Sequence, residues 1–301
     1  MSSLIEQAAK RLEQLKQAGV ELPESSPTAA TASAKPSSGR PSVPTSAEPV
    51  PSAVSRRVEL NLDAIAAAGI ISPNASRSQV ADEYRVIKRP LISNAMGRGA
   101  APIANGNLIM VTSAVSGEGK SFTSINLAMS IATELDNTVM LVDADVARPS
   151  VLNVLGLPPA PGLLDVLAHD SVDLSHVLLR TNVEKLTILP SGTKQERATE
   201  LLASDAMVRL LDDMASRYSD RIIIFDSPPL LLTTEARVLA SHMGQVVMVV
   251  KAEETLQADV KHALSTIENC PVKLLVLNQT RGSRMGYGYG YGHGYGYGES
   301  S

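Results

Sequence analysis

The chain has 301 residues, 44% of them hydrophobic, with a formal net charge of −4, a single cysteine and no tryptophan. That length holds one large α/β domain with accessory segments, and the mild negative charge excludes a general nucleic-acid binder, so no nucleic-acid partner is expected. Cys270 has no partner for an internal disulfide, and the five histidines are scattered without zinc-type spacing, so no structural metal is implied.

In chain order, residues 3–19 place Leu4, Ala8, Leu12 and Leu15 on one helical face, with Ser3 and Glu6 in capping-box spacing and Gly19 as a stop. This reads as an amphipathic helix over 1–20 that packs on its own domain or docks a partner. Residues 21–57 follow as a Pro/Ser/Ala-rich linker, expected to be extended. No stretch reaches the roughly 18 apolar residues of a spanning helix, and the start lacks the order of a secretory signal, so a cytoplasmic chain is expected, reaching a membrane only through a partner.

From Val58 to residue 284 the pattern becomes short apolar runs separated by helical segments: Leu108–Thr112, Val139–Asp143, Leu186–Leu189, Ile222–Asp226, Val246–Val250 and Leu274–Asn278. This spacing predicts an α/β fold, a mostly parallel central sheet with helices on both faces and a ligand site at the carboxyl ends of the strands.

The first run leads into Ser113-Ala-Val-Ser-Gly-Glu-Gly-Lys-Ser121 and a helix from Phe122 to about Leu135, a phosphate loop in its expected strand-loop-helix setting. Ser116, Gly117, Glu118, Gly119, Lys120, Ser121 and Phe122 are the candidate nucleotide-binding residues, with Lys120 against the β- and γ-phosphates and the Ser121 hydroxyl on Mg²⁺. Ala114 stands where the motif has its first glycine. Asp143, Asp145 and Asp226 end two further apolar runs, and three carboxylates beside a phosphate loop call for a compensating cation, which Mg²⁺ on ATP supplies.

Residues 285–301 hold five of the seven tyrosines, Tyr287, Tyr289, Tyr291, Tyr295 and Tyr297, alternating with glycine. Such a segment has no apolar face of its own and reads either as a kinase substrate or as an adhesive low-complexity tail. Tyr84 and Tyr218 fall in helical pattern and are expected to pack.

The phosphate loop, the Asp143-Ala-Asp145 pair, the run ending Asp226-Ser-Pro-Pro229 and the Tyr-rich tail together resemble the cytoplasmic catalytic domain of bacterial tyrosine kinases, over about residues 78–301. Gly162–Ala168, Thr199–Leu202 and Thr233–Ala236 also look like family segments. Val115 stands where the related partitioning and septum-positioning ATPases carry a second lysine, which favours the kinase over a nucleotide-switched scaffold ATPase with an adhesive tail, the alternative reading.

The resemblance implies an ATP-dependent tyrosine autokinase of the exopolysaccharide type. It places Asp143 as base for the attacking phenol, Asp145 and Asp226 with Ser121 on Mg²⁺, and Lys120 on the transferring phosphoryl, with the roles of the three aspartates interchangeable. It further implies transfer between subunits of a ring, an octamer in the family, activation by the cytoplasmic end of a membrane polysaccharide chain-length regulator, and a cognate tyrosine phosphatase. The family's assembly motif corresponds to Asp82, Arg85 and Lys88 on one face of the helix before the first strand, and Arg148 lies one residue beyond the family's arginine position. Asn278, ending the last run, reads equally as a contact to adenine or as a turn cap.

Overall fold

The computed structural model describes residues 55–73, 78–99, 101–169, 171–218 and 220–280. The N-terminal helix, most of the linker and the tail tyrosines lie outside them. The described part begins slightly before the expected boundary, because Arg56–Arg57 (β1) pairs with Leu179–Arg180 (β4).

The eight strands form one sheet in the order β1-β4-β5-β3-β6-β2-β7-β8. The six expected runs are all present, as β2 (Leu108–Ser113), β3 (Thr138–Asp143), β5 (Leu186–Leu189), β6 (Arg221–Asp226), β7 (Gln245–Lys251) and β8 (Val272–Asn278). Every pairing is parallel except the short β4–β5 contact. The two-residue strands β1 and β4 are too short to leave a periodic trace in sequence.

The strands beside the phosphate loop are apolar on both faces because both are covered. Leu108 and Met110, Met140 and Val142, and Ile223 and Phe225 enter one core, while Ile109 and Val111, Val139 and Leu141, and Ile222 and Ile224 enter the other. The first core is covered in part by α8 (Asp205–Arg217) and α9 (Thr234–Ser241), through Met207, Leu211 and Leu239. The second is covered by α2 (Gln79–Ala95) and α3 (Lys120–Ala132), through Tyr84, Leu91, Ile125 and Met129. At the β8 edge only one face is covered: Leu274 and Val276 pack inward while Leu275 and Leu277 stay exposed. Tyr84 is buried and Tyr218 half-buried, as packing residues should be.

Among the described residues no helix is long and apolar enough to cross a membrane.

Candidate active site

The strand register assembles the site. Because β6 lies between β2 and β3, Asp226 is level with Val111 on one side and with Asp143 on the other, beside the point where β2 becomes the loop. The turn after Asp226 is pinned to the loop strand. Ser227 Oγ donates to the Val111 carbonyl at 3.0 Å and Leu230 N–H to the Ser113 carbonyl at 2.9 Å, and this fixes where the Asp226 carboxylate stands.

The loop ends at Gly119, the N-cap of α3, whose φ of 93° is left-handed and which gives the helix no side-chain cap. A Cβ there would also meet Asn278 Nδ2 at 2.1 Å, so only glycine fits. The uncapped N–H groups of the first turn are therefore open to an anion, where the helix dipole favours negative charge. Ser116 and Gly117 are exposed at the mouth of this loop. The Phe122 side chain turns away and packs on the α2/α3 core, leaving its backbone in the first helical turn as its contribution to the site. The Ala114 methyl is buried in the opposite core.

Lys120 Nζ lies 3.5 Å from Asp145 Oδ2, with both side chains nearly enclosed. Asp145 Oδ1 also accepts the Arg148 N–H at 3.2 Å. Asp143 Oδ2 accepts the N–H groups of Ser150 and Val151, at 3.1 and 3.0 Å, at the start of the short helix α4 (Val151–Val154). Its Oδ1, and both oxygens of Asp226, are buried and have no hydrogen-bond partner among the described residues. Burial, followed by the neighbouring Asp226 charge, pushes Asp143 up to about 7 against the pull of those two amides. Burial also pushes Asp226 up to about 6. The Ser121 hydroxyl and the Lys120 charge temper that shift, although Ser121 Oγ is itself turned towards Ser150 Oγ at 2.8 Å and makes no bond to Asp226.

Two buried carboxylates with three unpartnered oxygens are unfavourable unless a cation joins them. Carboxylate and hydroxyl oxygens suit a hard ion such as Mg²⁺. Among the described residues no group of three His, Cys, Asp or Glu side chains could close on a metal alone. The ion's remaining ligands would thus be phosphate oxygens and water, as is usual for Mg²⁺. The residues fit a Mg-nucleotide rather than a free metal.

Glu118 has a part that its position in the motif did not reveal. It is 1% exposed; its Oε2 accepts the Val115 N–H at 2.7 Å, while its Oε1 accepts the Thr255 hydroxyl and the Lys251 N–H. It thereby ties the phosphate loop to the end of β7. Thr255 and Lys251 carry no local motif and were not legible. Asn278 reinforces the loop from β8: its Nδ2 donates to the Glu118 carbonyl at 2.9 Å and its Oδ1 accepts the Gln279 N–H at 2.9 Å. Both ends of that amide are engaged as a cap and brace.

Beside Asp143 a slot of about 220 Å³ is lined largely by Pro149, Leu152, Leu157 and Pro159, with Ser191 at its side. A mostly apolar slot with one carboxylate can take an aromatic ring whose polar tip meets that carboxylate.

The expected assembly face needs one correction. Asp82 and Arg85 are paired with each other on the surface of α2, but Lys88 is only 3% exposed. Its Nζ meets Glu134 Oε1 at 2.7 Å and the Ser130 carbonyl at 2.5 Å, which pins α2 to α3. Lys88 is thus an internal tie, because a six-residue offset turns it towards the packed side of the helix.

The comparisons with known proteins agree with this geometry. The AAA domain family matches residues 106–277. Tyrosine-protein kinase YwqD of Bacillus subtilis is 30% identical over 206 residues, 68% of this chain and 83% of that protein. The chain belongs to the bacterial tyrosine-kinase family. Tyrosine-protein kinase ptk of Acinetobacter johnsonii is 32% identical over 186 residues, 61% of this chain and 25% of that kinase. The chain thus spans about a quarter of the length of ptk, and a similar share of EpsB from Ralstonia nicotianae. Among solved structures, the chimerical protein CapA2B2 superposes with a TM-score of 0.59 at 26% identity, covering 75% of this chain and 94% of that one. A bacterial tyrosine kinase needs a phosphate loop, an acidic pair and a place for a phenol, and the first two are the features found at the ends of β2, β3 and β6.

Proposed function

We propose that this bacterial tyrosine kinase is an ATP-dependent autokinase that phosphorylates Tyr287, Tyr289, Tyr291, Tyr295 and Tyr297 of its own tail. The observation that carries this reading is the pair of enclosed carboxylates, Asp143 and Asp226, at the strand ends beside the phosphate loop, with a mostly apolar slot lined in part by Asp143.

A phenol with an ordinary pKa near 10 needs a base within hydrogen-bond reach as it attacks. Asp143 is held in place by the Ser150 and Val151 amides through Oδ2, which leaves Oδ1 to take the phenolic proton. MgATP, when bound, supplies the phosphoryl group and the charge that Asp226 and Asp145 lack. Lys120 moves from Asp145 to the phosphates, and the first-turn amides of α3 stabilise negative charge there, the kind of preorganised contact that dominates phosphoryl transfer. Ser121 and Asp226, with Asp145, would hold the ion. Glu118 and Asn278 keep the loop in shape.

The same reading takes the chain to exopolysaccharide synthesis or export. Transfer runs between copies in a homo-oligomeric ring, octameric by family resemblance, with Asp82 and Arg85 on its assembly surface. A membrane chain-length regulator activates it from the cytoplasmic side and a cognate phosphatase resets it; no nucleic acid takes part.

Intact mass after incubation with ATP and Mg²⁺ tests the activity, comparing the full chain with Lys120→Met and with a chain ending at Gly286. The assay is run with and without a candidate activator peptide. Stepwise phosphoryl additions lost in both variants are the expected result. Steady ATP hydrolysis without any addition to the tail would overturn the reading in favour of a scaffold ATPase.

A further inference from the structure

At the end of the sheet opposite the phosphate loop, a cavity of about 450 Å³ gathers four basic side chains, Arg57, Arg180, Lys185 and Arg221, and one acid, Glu184. The strand register brings them together. Arg57 and Arg180 are direct cross-strand neighbours on β1 and β4, and Arg221 begins β6 level with Thr138 at the start of β3. Like charges placed directly opposite on a sheet repel, so such a pair is unfavourable without an anion between them.

Among the described residues few carboxylates stand against these charges. Among these residues Arg57 meets only Glu59, at 3.6 Å, and both side chains are more than 70% exposed, which leaves the contact screened and weak. Among the described residues Arg180 and Arg221 form no ion pair, and Glu184 pairs with none of the four. Arg221 is held instead over the Tyr218 ring, 4.8 Å from its centroid, and its Nε is enclosed without a hydrogen-bond partner among the described residues. Lys185 is the exception, capping the Glu134 and Leu135 carbonyls at the end of α3.

Three guanidinium groups around one cavity, two of them without an ion pair among the described residues and the third in a weak exposed one, are the chemistry that takes a phosphoryl group, which a planar Arg fork can bind bidentately. Adjacent strands lie about 4.8 Å apart, close enough for Arg57 and Arg180 to share one phosphoryl oxygen set. We propose that this cavity is a docking site for the phosphorylated Gly-Tyr tail of the same chain type, taking a phosphotyrosine between Arg57, Arg180 and Arg221. The inference rests on the kinase reading for the source of its ligand. Charge complementarity selects the occupant: each phosphotyrosine carries about −1.5 to −2 charges, and the tail would present five of them with only glycine between most, so no neighbouring side chain obstructs entry. A tail leaving the acidic site after transfer would thus find its counter-charge at the opposite end of a sheet.

The test is binding of a synthetic peptide of residues 286–292, phosphorylated on Tyr287, Tyr289 and Tyr291, to full-length Lys120→Met protein, whose own tail stays unmodified. The unphosphorylated peptide, inorganic phosphate and anionic vesicles are run alongside. The expected result is binding of the phosphopeptide alone among the peptides, weakened by added salt, displaced by inorganic phosphate, and reduced at least tenfold by Arg180→Glu and less by Arg180→Gln. Arg180 is exposed, so neither change disturbs the core. Equal binding of both peptides, indifference to Arg180→Glu, or Arg180-dependent binding of vesicles without the phosphopeptide would each overturn the site. Phosphopeptide binding in a protein that shows no autophosphorylation would leave the cavity standing and remove the kinase reading. Autophosphorylation with no phosphopeptide binding does the reverse.

Discussion

The two ends of the central sheet carry opposite charge imbalances. At the carboxyl ends of β3 and β6, Asp143 and Asp226 are enclosed with three oxygens that have no hydrogen-bond partner among the described residues. At the opposite end of the sheet, where β3, β5 and β6 begin, Arg57, Arg180 and Arg221 surround a cavity with no carboxylate partner enclosed beside them among the described residues. The difference lies in burial. The acids are taken almost wholly out of water, and that burial raises the pKa of both, whereas the arginines remain half-exposed or exposed and hydrated. An enclosed imbalance of this kind is expensive and specifies chemistry; an open one costs little and specifies only attraction.

The largest effect should come from Lys120→Met, which removes the cation shared between Asp145 and the bound phosphates. Phosphoryl transfer is expected to fall about a thousandfold or more, measured by intact mass, while the fold persists. A smaller loss would mean that the acidic end works without its lysine.

Asp143→Asn comes next, with a loss of about 10² to 10⁴ in turnover for a lost general base. It also probes the imbalance itself. Folding raises the Asp143 pKa to about 7 and that of Asp226 to about 6, so between roughly pH 4 and pH 7 the folded protein holds more protons than the unfolded chain. Stability of the nucleotide-free protein should therefore be highest below pH 4 to 5, as far as these two groups go, and decline as pH rises through 7. Thermal melts at pH 5.5 and 8 should show the decline, Asp143→Asn should flatten it, and MgATP should reverse it at pH 8. A melt that rises steadily over this range in the absence of nucleotide would contradict the unpaired-acid account.

Glu118→Ala should leave the Val115 and Lys251 amides and the Thr255 hydroxyl without their acceptor, costing about 1–3 kcal/mol and raising the nucleotide KM more than it lowers turnover. Glu118→Gln, which keeps one acceptor oxygen, should recover part of the affinity. Equal loss in both variants would show that charge rather than shape holds the loop.

The smallest effect concerns a buried charge that is paired. Lys88→Met removes an ammonium whose partner Glu134 is still 26% exposed and can rehydrate, whereas Glu134→Ala strands Lys88 at 4% side-chain exposure. Chemical denaturation should find Glu134→Ala the more destabilising of the two. The opposite order would make Lys88 a surface group after all.

Much of the acidic end was legible. The phosphate loop, the Asp143 and Asp145 pair and Asp226 are local patterns, because a loop between a strand and a helix must present its backbone amides, and an acidic residue ending a buried strand must face the ligand edge. The basic cavity was not legible: Arg57, Arg180 and Arg221 belong to three strands spread over more than half of the chain and meet only through the register of β1, β4 and β6. The Glu118 clamp was hidden likewise, since its Thr255 partner is 137 residues away. Lys88 was misread because charge spacing on a helix tells which residues share a face and not which face the core will cover.

The sequence by itself determined the α/β class, the six long strands, the phosphate loop and the kinase family, since periodicity and motif spacing are set by backbone geometry within a few turns of chain. Only the tertiary structure decided which carboxylates stand unpaired, what Glu118 and Asn278 hold, and where the arginines collect. Those properties depend on strand order and burial, and a carboxylate or guanidinium acquires its energy only from what the fold places beside it.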